Sequence, residues 1–429
     1  MSVLRWAKQQ FHQRFGEPAP KRNPRLRDDP EVLHVGNRSY SRRIETNGKA
    51  QVKKCFTTET PGRTAFAAEL RARREFGDMP WFTPWTAHGR YWFAAPMYPS
   101  ESRLDRLAPT LSGDERAELA GQSLSIILDL LVAGFAHRDF HAGNLFLVDG
   151  QIRLVDYETL AAYPEGRRPG LRDCYDVTGQ GLDSPWQTRN MCYANGTPLC
   201  LADVLNVDFE SAMRRLAGIL KKQLHDASLT FQRSHGRYAC KQGRIYNSID
   251  VPGLVVSPDE AQRDCRRRYE QFGITADIVA GRRMLDLGSN IGGMLLEAQR
   301  LAPRECRGIE FDAAKVMVSN RVALFGGLTN VRFEQGDIDK TTVGSVDGPY
   351  DVVMCLAVEA HVKKPERMYR LLGDVTRHVL YFEGNATTNA DVVEKSLIGA
   401  GFSRIEKLGF CVDDSLPENN RRPILRAFK

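Results

Sequence analysis

The 429-residue chain has no run approaching the roughly 20 apolar residues that a membrane-crossing helix needs. Its first residues also lack the apolar core and small-residue cleavage site of a secretory signal. Cysteine is sparse: nine residues, odd in number, scattered, with no CxxC pair. That argues against a disulfide framework or a zinc site and for reduced thiols in a cytoplasm. There is no internal repeat and no low-complexity tract. Acidic residues are nearly missing from positions 1–27, where seven Lys/Arg face only Glu17 in a chain of net charge +7. With the basic excess confined to that segment, no long nucleic-acid track is expected.

What is present suits two domains, or a lobed pair plus one. In the basic segment, Val3, Ala7, Phe11 and Phe15 recur four apart, with Leu4 and Trp6 beside them, and a Pro-broken tail follows. This basic amphipathic helix fits an anionic membrane surface. It equally fits a helix that docks its aromatic stripe on the next domain. Strands are expected near 32–36 and 50–56, and helices over 64–76 and from Ser112 to Phe135, the latter opened by Ser112-Gly-Asp-Glu. Leu145–Val148 and Ile152–Val155 flank Asp149-Gly150, a hairpin signal. A helical pattern runs from Leu201 to about Asp226, and the polar, basic stretch after it reads as a linker. From Gly281 onward, apolar strands at 283–287, 305–309, 330–333, 350–356 and 378–383 alternate with helices, which implies a parallel sheet.

Two segments carry chemistry. The first is His137-Arg-Asp-Phe-His-Ala-Gly-Asn144 followed by Arg153-Leu-Val-Asp156-Tyr-Glu158. Phosphoryl transfer needs a held nucleotide, metal to neutralise charge and a carboxylate near the attacking hydroxyl. Asp139 stands where a base accepts that proton, and Asn144, five residues on, reaches back to a metal. The hairpin returns Asp156 to face Asn144. In Val52-Lys53-Lys54-Cys-Phe56, Lys53 is the expected phosphate contact. Glu69, with Glu75 as its rival, is its ion-pair partner. No glycine-rich loop precedes that strand, since 35–41 holds only Gly36; Ser39, Ser41 and backbone amides are the candidates for phosphate cover. Phe93 to Tyr98 is the expected hinge to adenine.

The second segment is Leu285-Asp-Leu-Gly-Ser-Asn-Ile-Gly-Gly293. An apolar strand enters a glycine turn and a helix, so backbone can approach a cofactor closely. Asp286, Gly288, Asn290 and Gly292 form the candidate cofactor loop. Glu310 ends the next strand, where a carboxylate can hold both ribose hydroxyls. Asp337 follows the third, where it can accept from an adenine amine. For the acceptor, His361 is the candidate base, with a surface helix cap as the alternative. Arg263, Arg266, Arg267 and Arg268 are candidate phosphate donors, with a solvated helix face as the alternative.

The first segment resembles the protein-kinase-like superfamily on its small-molecule and lipopolysaccharide kinase side. His141 stands where most protein kinases have Lys, and Asp156-Tyr157-Glu158 replaces Asp-Phe-Gly. The second resembles class I S-adenosylmethionine methyltransferases over about 281–410. The pair of domain types is similar to bifunctional kinase–methyltransferases that end O-antigen polysaccharides, with the domain order reversed. These resemblances imply a bilobal α+β kinase-like fold followed by a Rossmann-like α/β methyltransferase. The implied boundaries are 1–27 for the basic segment, 28–228 for the kinase-like domain (lobes 28–98 and 99–228), 229–265 for the linker and 266–429 for the methyltransferase. The implied cofactors are ATP, magnesium at Asn144 and Asp156, and S-adenosylmethionine. The implied acceptor is a sugar or glycan, lipid-linked forms included, and the implied location is the cytoplasm or the inner face of a membrane. Two other readings stand beside this one: a kinase–methyltransferase that tailors an antibiotic or metabolite, and a methyltransferase scaffolded by a pseudokinase.

Overall fold

Adjacent turn residues with positive φ set the first sheet. In the computed structural model, Asn47 and Gly48 take φ of 52° and 71° between Thr46 and Lys49, which close the hairpin. The structure describes residues 29–164, 169–174, 193–194, 197–198, 201–233, 236–239 and 243–429. The basic segment 1–27, with its amphipathic helix, therefore lies outside the described residues. The chain divides into two units. One comprises Met1–Arg168 and Asp173–Arg215, the other Pro169–Arg172 and Leu216–Lys429. The division falls within the helix Phe209–Ser228.

In the first unit, Val32–Val35 (β1), Ser39–Thr46 (β2), Lys49–Phe56 (β3), Ala87–Gly89 (β4) and Trp92–Pro96 (β5) form an antiparallel sheet in the order β1-β2-β3-β5-β4. Helix Thr60–Phe76 (α1) packs on it through Ala65 and Phe66, which join Phe56, Phe93 and Ala95 in one apolar cluster. Helix Gly113–Val132 (α2) begins with a capping box between Ser112 and Glu115. It buries Leu124, Ile127, Leu128 and Leu131. Leu145–Val148 (β6) and Gln151–Leu154 (β7) pair across Asp149 and Gly150, both at positive φ. The predicted hairpin is present, with its second strand one residue earlier.

In the second unit, the stretch expected to be a linker is ordered structure from 243 onward. Ile245–Asn247 (β8) pairs in parallel with Ala261–Arg263 (β11), and Ile249–Val251 (β9) pairs with Leu254–Val256 (β10). Every second residue of β9 and β10 is buried. This short alternating pattern was hidden by the polar residues around it. Cys265–Phe272 (α3) follows, capped by Asp264 and closed by Gly273 at φ 64°.

The main sheet has seven strands: Arg283–Leu287 (β12), Glu305–Glu310 (β13), Val331–Gln335 (β14), Tyr350–Leu356 (β15), Thr376–Glu383 (β16), Arg404–Phe410 (β17) and Pro423–Phe428 (β18). Their order is β14-β13-β12-β15-β16-β18-β17, parallel except for β18. Gly293–Ala298 (α4) and Ala313–Phe325 (α5) make the first crossovers, and Pro365–Val375 (α6) and Ala390–Gly399 (α7) the later ones. All seven residues of β15 are buried, as expected for a central strand covered on both faces. Strand order reverses beside β12, so the crevice at its carboxyl end is the topological switch point where ligands bind in such sheets. No helix among the described residues is long and apolar enough to cross a membrane. Cys55, Cys265, Cys306, Cys355 and Cys411 are buried free thiols.

Candidate active sites

In the first unit, strand alternation decides between two adjacent lysines. Lys54 shares a face of β3 with Phe56, whose ring lies 5.2 Å from Phe66 of α1. Lys54 therefore points at the helix, and its Nζ lies 2.9 Å from Glu69 Oε1, 2.7 Å from Asp156 Oδ1 and 3.0 Å from Glu158 Oε1. Lys53 faces the other way, with its Nζ 4.5 Å from the centre of the Trp92 ring. The ion pair expected of Lys53 thus belongs to Lys54. Glu69 rather than Glu75 is its partner, and Glu75 instead pairs with Arg74 at the surface. Both faces of this sheet carry apolar residues (Cys55 is as buried as Phe56), so hydropathy alone did not separate the two lysines.

Glu69 also accepts the Tyr157 backbone N–H at 3.1 Å, tying α1 to the segment after β7. Burial raises the Glu69 carboxyl to about 7, against the lowering influence of Lys54. Burial also works against the Lys54 charge, but Asp156, Glu69 and Glu158 outweigh it and hold the ammonium well above its usual value. Lys54 likewise holds Asp156 low against burial. Ser39 donates its hydroxyl to Glu158, and Arg38 Nε lies 3.7 Å from the same carboxylate.

Across the cavity, Asn144 Nδ2 donates to the Asp139 carbonyl at 3.0 Å. Its amide oxygen is the side-chain atom suited to a hard cation. His141 Nδ1 accepts the Gly143 N–H at 3.1 Å, which leaves the proton on Nε2, 3.2 Å from Asp139 Oδ1. His137 is 3% exposed, and neither ring nitrogen hydrogen-bonds to protein. Burial takes it down to about 4, so it is neutral. Lys54, Asp139, Asn144, Asp156 and Glu158 all line one cavity of about 1120 Å³, whose wall also includes Phe93 to Tyr98 without Ala94. Two carboxylates and an amide oxygen beside a fixed ammonium suit magnesium held jointly with phosphate oxygens. Glu158 and Lys54 were missed by sequence reasoning. Glu158 stood inside the quoted motif, and the signal for Lys54 was Phe56 two residues on.

In the second unit, Gly288 and Gly292 take φ of 85° and 81°. A Cβ at Gly288 would also lie 2.4 Å from Val358, and one at Gly292 2.4 Å from the Phe333 ring, so both turns require glycine. Glu310, at the end of β13, is fixed by two backbone donors, Asn290 N at 2.8 Å and Asp312 N at 2.9 Å. Asp286 is 3% exposed, and burial raises its carboxyl to about 7, with Arg268 pulling the other way. Asp337, half-buried past β14, accepts the Asp339 N–H at 3.1 Å and pairs with Lys340 at 3.0 Å. The loop, Glu310 and Asp337 thus stand at the carboxyl ends of neighbouring strands, as the sequence predicted.

His361 ends the short turn Glu359–His361 and is exposed. Beside it, Glu359 is held by the Tyr369 hydroxyl at 2.5 Å and the Thr388 hydroxyl at 2.6 Å. The arginines divide. Arg266 and Arg267 are exposed, while Arg263 and Arg268 are 0% and 3% exposed. Arg263 bonds to Asp413 at 2.8 Å and to Glu383 at 3.2 Å, Arg268 bonds to Glu383, and Arg422 reaches Glu383 at 3.3 Å. Asp414 lies 3.5 Å from Arg263. Burial works against the Glu383 charge, but these three guanidiniums hold its carboxyl down at about 2. Arg263 and Arg268 are therefore committed to carboxylates of their own unit and are not a solvated phosphate patch. The β17–β18 connection that supplies Asp413 and Asp414 lies some 150 residues downstream, too far for spacing to reveal.

A family model described as a methyltransferase domain matches residues 278–400. No curated protein matches the chain. Among solved structures, EvdMO1 is similar at 16% identity and TM-score 0.34, over 49% of this chain and 47% of that one, so this chain spans about half the length of that protein. An S-adenosylmethionine-dependent methyltransferase from Mesorhizobium loti is similar at 16% identity and TM-score 0.30, over 37% of this chain and all of that one. Magnesium protoporphyrin IX methyltransferase from Synechocystis PCC 6803, with bound SAH, is similar at 16% identity and TM-score 0.31, over 38% and 81%. Likeness at this level carries no argument about substrate. The family match and the strand order agree, and the second unit contains a methyltransferase domain of class I topology.

Proposed function

We propose that the chain transfers two groups in succession: a phosphoryl group from ATP in the first unit and a methyl group from S-adenosylmethionine in the second. The observation that carries the first half is the convergence of Glu69 and Asp156 on Lys54, which with Asp156 lines the cavity that Asp139 and Asn144 also line. A phosphotransferase site needs these parts and little else. Lys54 steadies nucleotide phosphates while Glu69 holds Lys54 in place. Asn144 and Asp156 would hold magnesium, which would supply the positive charge that neutralises the phosphates. Asp139 takes the proton of the acceptor hydroxyl, and His141 orients Asp139. The complete set of groups favours a working site over a pseudokinase scaffold.

In the second unit, Glu310 takes the ribose hydroxyls, Asp337 faces the adenine amine and the turn 288–292 carries the amino-acid end of the cofactor. His361 serves as base where the acceptor is a hydroxyl. The acceptor is a sugar or glycan that meets both activities in a cytoplasmic or membrane-peripheral setting, with residues 1–27 as the anionic-surface contact. The test is incubation of the full chain with ATP, magnesium, labelled S-adenosylmethionine and a lipid-linked glycan fraction. Methyl incorporation that requires hydrolysable ATP is expected. Incorporation indifferent to ATP would separate the two activities onto different acceptors.

A further inference from the structure

In the first unit the Lys54 ammonium is surrounded before any nucleotide arrives. An ammonium has three hydrogens. Lys54 Nζ faces three carboxylates: Glu69 Oε1 at 2.9 Å, Asp156 Oδ1 at 2.7 Å and Glu158 Oε1 at 3.0 Å. A phosphate can reach Lys54 only where one of them gives way. Glu69 is not that group, since its side chain is 1% exposed and also holds the Tyr157 backbone N–H. Asp156 would stay, as a ligand of the metal that accompanies the phosphates.

Glu158 is held differently. The Ser39 hydroxyl donates to its Oε1, and Arg38 Nε lies 3.7 Å from its Oε2. Arg38 and Ser39 stand where the turn after β1 enters β2, and that turn is pinned. The Gly36 N–H donates to the Ser39 carbonyl at 2.9 Å, and the Thr57 N–H to the Arg38 carbonyl at 2.9 Å. An ammonium, a guanidinium and a hydroxyl thus surround one carboxylate, and all four side chains line the cavity. A phosphate takes the same set of donors. The backbone on either side of Glu158 is anchored: the Tyr157 N–H donates to Glu69, and the Thr159 hydroxyl to the His137 carbonyl at 2.8 Å. The Glu158 side chain can therefore leave by rotating about its own bonds, with the chain in place.

We propose that Glu158 is an internal stand-in for a nucleotide phosphate, an autoinhibitory contact that the phosphates of a nucleoside di- or triphosphate displace. Lys54, Arg38 and Ser39 then pass from the carboxylate to the phosphates. This rests on the reading of the first unit as a phosphotransferase, and it gives Glu158 a part that is neither base nor metal ligand. Only the fraction of molecules with Glu158 swung out is ready to bind, so the contact lowers nucleotide affinity by that fraction.

The test is calorimetric titration of the full chain, in magnesium buffer, with ADP and with adenosine, which has no phosphate. Glu158→Gln removes the carboxylate charge. Glu158→Asp keeps the charge but draws it back by one methylene, so it separates release of the contact from a general change in potential. ADP should bind about 10-fold more tightly to Glu158→Gln and at least about 3-fold more tightly to Glu158→Asp, with adenosine changed by less than about two-fold in both. Unchanged or weaker ADP binding in Glu158→Gln, a gain confined to that variant, or an equal gain for adenosine overturns the inference while leaving the phosphotransferase reading intact. If neither the wild type nor either variant binds ADP, that reading fails, and this inference with it.

Discussion

Each unit buries a cluster of ions, and the two are built differently. In the first unit one ammonium, Lys54, faces three carboxylates, with Arg38 only at the margin. In the second, Arg263, Arg268 and Arg422 face Glu383, Asp413 and Asp414 in equal number. The same residue type responds in opposite directions: Glu69 is pushed up to about 7, while Glu383 is held down at about 2. The side chain of Asp156 is 39% exposed to its cavity, whereas Arg263 and Glu383 are sealed at 0%. A balanced, closed cluster holds a fold together. An unbalanced, open one is short of positive charge, and a metal–nucleotide complex is the kind of ligand that could supply it.

The sharpest break between the two comes from chemistry. Asp139→Asn should lower phosphoryl transfer by about 10²- to 10⁴-fold, the usual worth of a positioned base. Affinity for S-adenosylhomocysteine in the second unit should be unchanged, as measured by calorimetry on the same preparation. Lys54→Met should also abolish transfer, while Lys53→Met leaves it nearly intact. The reverse order for the two lysines would contradict the strand register.

The second test is stability. Glu383→Gln leaves buried guanidiniums without their shared partner and should cost the second unit about 3–5 kcal/mol, read as a lower calorimetric transition. Glu158→Gln removes one of three carboxylates crowded on Lys54 and should cost the first unit less than about 1 kcal/mol. A comparable loss in both would mean that the first cluster is structural too.

The same contrast explains what the sequence disclosed. The parallel sheet, the glycine turn, Glu310 and Asp337 were legible because apolar residues recur along β12 to β15, most densely in β15, and the chemistry sits at or just past the carboxyl ends of these strands. The pairing of Asp139, Asn144 and Asp156 was legible from a hairpin with Asp-Gly at its tip. Adjacent lysines on a sheet apolar on both faces were not separable, since register, not hydropathy, decides which one turns inward. The short strands of 245–263 were masked by surrounding polar residues. The partners of Arg263 and Arg268 lie across the sheet on Glu383 and beyond it on Asp413, a contact that no local spacing encodes.

The smallest effect concerns acid, and here the two titrating groups of the first unit oppose each other. His137 has a folded pKa of about 4, below its usual 6.5. The unfolded state thus binds more protons between those values, so this contribution is complete above about pH 6.5 and is lost as pH falls toward 4. Glu69, at about 7 against 4.5, has the opposite sign: its penalty is full above pH 7 and is relieved as pH falls toward 4.5. The wild-type slope from pH 7 to 5 should therefore be shallow. His137→Phe removes one side of the balance without unpairing any protein hydrogen bond, because the ring nitrogens have none. The variant should gain about 2 kcal/mol over the wild type at pH 5 and little at pH 7.5. All five tryptophans precede residue 216, so tryptophan fluorescence follows the first unit alone. Glu383 begins to lose its contribution only below about pH 4.5, while the buried Asp286, at about 7, should raise the second unit's calorimetric transition as pH falls through this window, equally in variant and wild type.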